Sequence, residues 1–130
     1  MNNNMKNTTS IGRFGESVAC EFLKKNKYKI VTQNFYASHN EIDIIAENKQ
    51  YILFVEVKTR SVSYNDNFLF GTPASAVTYS KQKRTLIAAQ TYLLENPTKK
   101  TPRLDVIEVY LDKNDNSVLK INHIEDAFGN

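Results

Sequence analysis

The hydrophobic positions of the chain recur with a period that changes along its length, and each period predicts one kind of element. From Ile11 to about Lys27 the spacing is helical, with apolar residues at Ile11, Phe14, Val18, Ala19, Phe22 and Leu23. β-Branched and aromatic residues then predict three strands, at residues 28–36, 41–46 and 51–60. The first half of the chain is therefore expected to form one helix and three consecutive strands.

The second half of the chain predicts a loop, a second helix and two further strands. Residues 61–78 contain Gly71 and Pro73 and read as a long loop, whose aromatic residues would either stack on bases or cover the sheet (Tyr64, Phe68 and Phe70). A helix capped by Thr78 or Ser80 should run to about Leu94. Its inward face would hold Gln82, Leu86, Ala89, Gln90 and Leu93. Strands are expected at residues 104–111 and 118–121, with a basic connector at 99–103 before them and a short helix after them.

This order of elements predicts an α/β fold, with a central mixed β-sheet flanked by helices. The 130 residues fit one domain, which we place at 11–130 after a disordered N-terminal tail at 1–10. No apolar run approaches the roughly 18 residues of a membrane span, and the N-terminus has no signal-peptide core. The lone cysteine, Cys20, cannot form an internal disulfide and is expected to be buried. We therefore expect a cytoplasmic protein without a membrane partner.

The third strand carries charged residues at positions where a sheet is normally covered. Leu53, Val55 and Val57 should point to one face, while Phe54, Glu56 and Lys58 alternate with them onto the other. The apolar residues on this second face indicate that it too is largely buried. Glutamate and lysine are rarely buried unless they are paired or bound to a metal. The strand therefore carries a candidate functional site, although an exposed edge-strand face would give the same pattern.

Asp43, on the preceding strand, can reach this site only if the turn between the two strands has an even number of residues. With a turn at Asn48 and Lys49, Asp43 pairs with Phe54 and Glu41 pairs with Glu56. Asp43 then lies diagonally across from Glu56, on the same face. An odd turn would send Asp43 to the other face. The apolar residues expected on that other face favour the even turn (Ile42, Ile44 and Ala46).

Clustered carboxylates repel one another, and a divalent cation removes that repulsion. Oxygen ligands with open water positions suit Mg²⁺ or Mn²⁺, which can activate water and stabilise charge on a phosphate. Lys58 would orient or help deprotonate the attacking water, or hold the phosphate. Glu16, at the edge of the apolar stripe of the first helix, and Gln82, at the start of the second, are further candidates. Either could instead be an ordinary solvated or helix-start residue.

The basic residues are concentrated in one part of the chain. Residues 79–103 contain six basic side chains and one acidic side chain, a net charge of +5, whereas the whole chain carries +3. Lys81, Lys83 and Arg84 lie at the start of the second helix, where cations oppose the helix dipole and a bound phosphate would resolve the conflict. Together with Arg60 they are the candidate nucleic-acid-binding residues, and DNA is the expected partner.

Five segments in order resemble the YraN-like family of bacterial proteins, predicted endonucleases similar to archaeal Holliday junction resolvases. They are residues 12–16 (GRFGE), 40–45 (NEIDII), 54–60 (FVEVKTR), 81–84 (KQKR) and 103–106 (RLDV), and the resemblance covers residues 12–109. It implies a restriction-endonuclease-like fold with a PD-(D/E)xK site. One departure is Asn40, where family members usually have glycine; asparagine tolerates the left-handed backbone that glycine would supply.

The resemblance also implies a role for each residue of the site. Asp43 and Glu56 would be metal ligands, the Val57 carbonyl a further ligand, and Lys58 the catalytic lysine. Glu16 matches the helix glutamate that completes such sites, and Gln82 matches a supporting position. Resolvases of this kind act on branched DNA as homodimers, although no segment of this sequence identifies a dimer surface.

Three functions follow from these observations. The first is a Mg²⁺-dependent endonuclease that acts on DNA, including branched DNA. The second is a non-catalytic nucleic-acid-binding module on the same fold, favoured by the basic stretch. The third is an accessory protein that uses the fold as an interaction scaffold. Arg103 with Asp105 reads as a structural pair, and His39 and His123 lack metal-ligand spacing and receive no role.

Overall fold

The computed structural model describes residues 8–63 and 78–127. Within these residues the elements are α1 (Thr8–Lys25), β1 (Lys29–Ala37), β2 (Asn40–Glu47), β3 (Tyr51–Val62), α2 (Tyr79–Glu95), β4 (Thr101–Asp112) and β5 (Val118–Ile124). The predicted order of a helix, three strands, a second helix and two further strands is confirmed. Residues 64–77, which include the aromatic residues of the predicted loop, lie outside the described residues, so their role stays a prediction.

The five strands form one mixed sheet in the order β1-β2-β3-β4-β5. Neighbouring strands are antiparallel except β3 and β4, which run parallel in continuous register from Tyr51 and Thr101 to Val62 and Asp112. Parallel neighbours need a crossover, and α2 lies in that crossover between β3 and β4. The parallel pair in the centre explains why β3 and β4 are buried on both faces.

The two helices pack on opposite faces of the sheet, and each covers its own apolar cluster. The α1 cluster is built from buried residues of α1, β2, β3 and β4, among them Leu23, Ile44, Leu53, Val55 and Val109. The α2 cluster contains Ile42, Ile45, Ile52, Phe54 and Ala88. This is the α/β arrangement with flanking helices that the sequence predicts, and it is compatible with a restriction-endonuclease-like fold.

Several predicted boundaries differ from the observed ones. Helix α1 begins at Thr8, within the segment predicted to be a disordered tail. Strand β4 begins at Thr101, so Arg103 is a buried strand residue instead of part of a basic connector. After β5, residues 125–127 form a turn where a short helix was predicted. Thr78 is the N-cap of α2 as predicted, and its side chain accepts a hydrogen bond from Lys81 N.

The inward face of α2 is rotated by one residue from the predicted face. Its buried residues are Thr85, Ala88 and Ala89, whereas Leu86 is 45% exposed. Gln90, also predicted to face inward, is exposed. Small side chains against the sheet let the helix axis come closer, and this outweighs the burial of one leucine. The rotation brings Lys81, in place of Gln82, to the sheet at the start of α2.

A glycine sets the distance between α1 and the sheet. A Cβ atom placed on Gly15 would lie 2.9 Å from Cβ of Thr59 on β3, closer than real Cβ atoms come. Gly12, one turn earlier, has nothing within 4 Å of such an atom. Gly15 thus permits a close approach of α1 to β3 beside the next residue, Glu16.

The β1–β2 hairpin contains the left-handed backbone that glycine would supply in the family pattern. Ala37 pairs with Asn40, and the two turn residues, Ser38 and His39, have positive φ angles of 50° and 69°. Two consecutive left-handed residues are the requirement of a type I′ turn. The left-handed backbone predicted at Asn40 is therefore found at Ser38 and His39, and Asn40 is the first residue of β2.

Candidate metal and nucleic-acid site

The register between β2 and β3 brings two carboxylates to the same level of the sheet. Asn48 accepts hydrogen bonds through its side chain from Gln50 N and Tyr51 N, and its own N–H donates to Tyr51 O. The turn is therefore centred one residue later than predicted, on Lys49 and Gln50. It keeps the even length but shifts every pair, so that Ile45 faces Phe54 and Ile44 faces Val55.

The predicted pairs, Asp43 with Phe54 and Glu41 with Glu56, are consequently wrong. The recorded pairing ends at Ile44 and Val55, and the next residues along the two strands are Asp43 and Glu56. Asp43 Oδ2 accepts a hydrogen bond of 2.8 Å from Val57 N. A side chain thus takes the place of a strand carbonyl where β2 leaves β3.

The separation of the strands also breaks the alternation predicted for β2. Ile44 and Ala46 pack in the α1 cluster as expected, but Ile42 packs in the α2 cluster beside Ile45 and Phe54. Asp43 lies at the position where the alternation of β2 side chains between the two faces is interrupted. Its carboxylate reaches across to the backbone of β3 at Val57.

Asp43 is only 8% exposed, and its surroundings are electrostatically unfavourable to a carboxylate. Burial first, and then the nearby charge of Glu56, raise the pKa of Asp43 to about 7, although the hydrogen bond from Val57 N–H lowers it. Glu16 and Glu41 add smaller increases to this pKa. A carboxylate in such surroundings gains from either a proton or a cation.

Glu56 is buried and held by lysines from two different elements. Its Oε2 lies 3.5 Å from Lys58 Nζ on the same strand, and its Oε1 lies 3.3 Å from Lys81 Nζ at the start of α2. Oε1 is nevertheless buried without a hydrogen bond from any described residue, because the contact with Lys81 lacks hydrogen-bond geometry. Lys81, which the sequence suggested only as a nucleic-acid contact, therefore also belongs to this cluster.

Glu16 approaches the same cluster from α1. It is half-buried, and burial raises its pKa, with further increases from the charges of Glu41 and Glu56 and a decrease from Arg13. Glu41 in turn accepts a hydrogen bond from the hydroxyl of Tyr36, which raises the pKa of that tyrosine. Four acidic side chains from α1, β2 and β3 thus influence one another, as the sequence predicts for three of them on the strands.

The remaining basic residues at the start of α2 point outward. Lys83 Nζ lies 5.4 Å from the ring centroid of Tyr79, and Arg84 Nη1 donates to Ser80 Oγ at 3.0 Å. Both side chains are exposed, while Gln82 is half-buried beside Lys81. The first turn of α2 therefore presents one lysine to the carboxylates and two cations to solvent.

Arg60 lies further along β3 and is held by a fully buried acid of β4. Its guanidinium contacts Glu108 at 3.4 Å, and Glu108 also accepts hydrogen bonds from Tyr110 Oη and Asn122 Nδ2. Glu108 lies opposite Lys58 in the parallel register. Sequence reasoning missed Glu108, although its place in the middle of an apolar strand was a signal.

The acidic side chains around Asp43 meet part of what a divalent cation requires. Among the described residues, no three histidine, cysteine or acidic side chains converge closely enough to form a ready-made metal site. Mg²⁺ is usually bound by one or two carboxylates with several waters, so Asp43 and Glu56 suffice in number. The unbonded Oε1 of Glu56 and the raised pKa of Asp43 both fit an added cation. The Val57 carbonyl stays a prediction as a further ligand.

A second charged network lies on the α1 side of the sheet and has a structural role. Asp105 is fully buried and accepts hydrogen bonds from the guanidinium of Arg103 and from Asp126 N, and it contacts His123 Nε2 at 2.8 Å. Arg103 also donates to Tyr28 Oη. Every oxygen of Asp105 is occupied, which agrees with the structural pair that the sequence suggested.

The fold and the cluster define an α/β protein with buried carboxylates at the point where two central strands separate. The family model described as uncharacterised protein family UPF0102 matches residues 15–109. The chain belongs to this family, the YraN-like family. None of the helices within residues 8–63 and 78–127 is long and apolar enough to cross a membrane.

Relatives match along nearly the full chain. A UPF0102 protein of Caldanaerobacter subterraneus subsp. tengcongensis is 43% identical over 123 residues, covering 94% of this chain and 97% of that protein. A UPF0102 protein of Clostridioides difficile is 42% identical over 129 residues, with 98% and 100% covered. One of Chloroherpeton thalassium is 39% identical over 130 residues, with 95% and 97% covered.

Proposed function

We propose that this protein is a Mg²⁺- or Mn²⁺-dependent endonuclease that cleaves the phosphodiester backbone of DNA. The observation that carries the proposal is the pair of buried carboxylates, Asp43 and Glu56, with Lys58 on the same strand and Lys81 from α2. Burying two carboxylates side by side destabilises the fold, and a cation is the simplest ligand that offsets it. The basic side chains on α2 supply the complementary charge for a phosphate backbone.

Each residue of the cluster would have a distinct role in such a reaction. Asp43 and Glu56 would hold the cation, which lowers the pKa of a bound water and stabilises charge on the phosphate. Lys58, with its ammonium group beside Glu56, orients the attacking water or neutralises the phosphate. Glu16 approaches from α1 and can accept a proton or orient water. Lys81, Lys83 and Arg84 hold the backbone of the substrate.

A cleavage assay on labelled linear, flapped and four-way DNA, with Mg²⁺ and with Mn²⁺, tests the proposal. Glu56→Gln, Asp43→Asn and Lys58→Met should each lower the rate about a hundredfold or more, because each removes a group that acts on the reacting phosphate. Glu21→Gln is the matched control. It makes the same chemical change at an exposed glutamate paired with Lys24 on α1, and it should leave the rate unchanged.

The absence of cleavage by the wild-type protein on all three substrates with both metals would contradict the proposal. If that protein still bound DNA with a strong salt dependence, the nuclease proposal would be replaced by the second function, a non-catalytic nucleic-acid-binding module. One observation favours this second function: Glu56 already has two lysine partners, so the charge of this carboxylate is compensated without a cation. Binding that is indifferent to Glu56→Gln and to metal would identify the module.

A further inference from the structure

At the end of the sheet away from the carboxylates, four lysines surround an open cleft. The cleft has a volume of about 540 Å³ and is lined by Lys27, Lys29, Lys49 and Lys100, with Glu47 and the turn at 48–50. These lysines come from the end of α1, the start of β1, the β2–β3 turn and the segment before β4. Lys27 and Lys29 are two residues apart, so three separate parts of the chain bring positive charge to one place.

The cleft has a strong excess of positive charge. Four lysines against one glutamate give +3, equal to the net charge of the whole chain, so the rest of the chain is neutral in sum. Glu47 is paired with Lys100 at 3.1 Å, which leaves the other three lysines without an acidic partner in the lining. The dipole of α1 favours a lysine next to its C-terminus, as at Lys27, but it does not account for Lys29 and Lys49.

The backbone at Lys27 supplies an independent observation. Tyr28 N donates to Leu23 O and Lys27 N donates to Lys24 O, which together form a Schellman motif at the end of α1. Lys27 occupies the position that normally holds glycine, with φ at 71°. A lysine there costs conformational energy that glycine would not. Lys27 therefore places a charged side chain in the cleft at a position where glycine would be more stable.

We propose that this lysine cleft binds the phosphate backbone of duplex DNA, as a second contact apart from the carboxylate cluster. The choice of DNA rests on the proposed function. Glu56 lies five strand positions beyond Tyr51, about 17 Å along β3. That distance corresponds to about five base pairs of B-DNA, which is well within the length of one duplex. A polyanion can contact at once the three lysines that have no acidic partner in the lining, Lys27, Lys29 and Lys49.

The test measures binding of a labelled duplex of about 30 base pairs in EDTA, by fluorescence anisotropy between 50 and 200 mM salt. The double variant Lys27→Gly/Lys49→Gln should weaken binding by roughly tenfold or more. It should also lower the slope of log K against log salt by about 2, because each lost phosphate contact removes about 0.9. Lys24→Gln is the control, since Lys24 is an exposed lysine near the same end of α1 that does not line the cleft.

Lys27→Gly alone separates binding from folding. Glycine relieves the strain at this position, so the melting temperature should rise by roughly 2–6 °C while DNA affinity falls by about fivefold to tenfold. A variant that melts higher yet binds with the wild-type affinity and salt slope would overturn the inference. So would an equal loss of affinity in Lys24→Gln, which would mean that only overall charge matters.

The same experiment keeps this inference distinct from the proposed nuclease. Binding that depends on the cleft lysines but is unaffected by Glu56→Gln, in a protein that does not cleave, would retain the cleft and remove the nuclease. Cleavage that is lost in Glu56→Gln but unaffected by the cleft variants would retain the nuclease and remove the cleft inference. A wild-type protein that does not bind the duplex would overturn the cleft inference.

Discussion

At the scale of single residues, the main feature of the candidate site is a pair of carboxylates in buried positions, which are unfavourable for a charged group. Asp43 and Glu56 are both less than a tenth exposed, and Glu56 has an oxygen without a hydrogen bond from the described residues. Glu108 is equally buried, yet arginine, tyrosine and asparagine side chains satisfy it. The contrast between unsatisfied and satisfied acids distinguishes groups available to a ligand from groups that hold the fold together.

Asp43 gives a prediction about pH. Its pKa is raised from an ordinary value of 3.8 to about 7, so the folded state binds a proton more tightly than the unfolded state between these values. In the metal-free protein, Asp43 should therefore lower the free energy of unfolding as pH rises from about 4 to about 7, by up to a few kcal/mol. Urea unfolding in EDTA at pH 5 and pH 8 measures this.

Asp43→Asn supplies the comparison for that measurement. The amide has no charge to bury, so the variant should gain stability over the wild type at pH 8 and lose the advantage at pH 5. A wild-type protein more stable than Asp43→Asn at pH 8 in EDTA would show that the carboxylate is not destabilising. The burial argument for an added cation would then fail.

Glu108 gives a prediction of the opposite kind. Glu108→Gln keeps the shape of the side chain but removes the charge that pairs with Arg60, so we expect a loss of about 1–3 kcal/mol in the free energy of unfolding. Glu125→Gln, which removes an exposed charge 3.7 Å from Arg103, should change stability by less than about 0.5 kcal/mol. Equal effects in the two variants would contradict the structural role of Glu108.

At the scale of elements, the contact between α1 and β3 depends on Gly15. Gly15→Ala should destabilise the protein by about 1–3 kcal/mol, because the added methyl group meets Thr59 and the helix must move. Gly12→Ala is the matched control, with open space around its Cβ and a gain of about 0.5–1 kcal/mol from helix propensity. Thermal unfolding of both variants measures the difference, and a gain in Gly15→Ala would show that the two elements are not in contact there.

The elements also show where sequence patterns stop being informative. The period of apolar residues predicts the order of helices and strands, and the face of Glu56, because a buried strand has few alternatives. It fails for α2, where Leu86 suggests one face and the small residues Thr85 and Ala88 pack instead. The apolar pattern also misplaces the β2–β3 turn by one residue. The position of this turn is set by hydrogen bonds to the side chain of Asn48, which a pattern of apolar residues does not contain.

At the scale of the whole molecule, the sequence could identify the acids but not their partners. Asp43, Glu56 and Lys58 lie close in the chain, and local rules of pairing predict that they meet. Lys81 and Glu108 reach the same region from α2 and β4, through contacts that only the parallel crossover creates. The lysine cleft likewise joins three segments that are distant in sequence, so no local pattern predicts it.

The contact between Lys81 and Glu56 has a consequence for the order in which ligands bind. If Glu56 takes up a divalent cation, the ammonium group of Lys81 loses its partner and becomes available to a phosphate. By reciprocal linkage, a nucleic acid that engages Lys81 must then raise the affinity of Glu56 for the cation by the same factor. Cofactor and substrate would load cooperatively, so the free protein would bind Mn²⁺ weakly and its complex with DNA would bind it tightly.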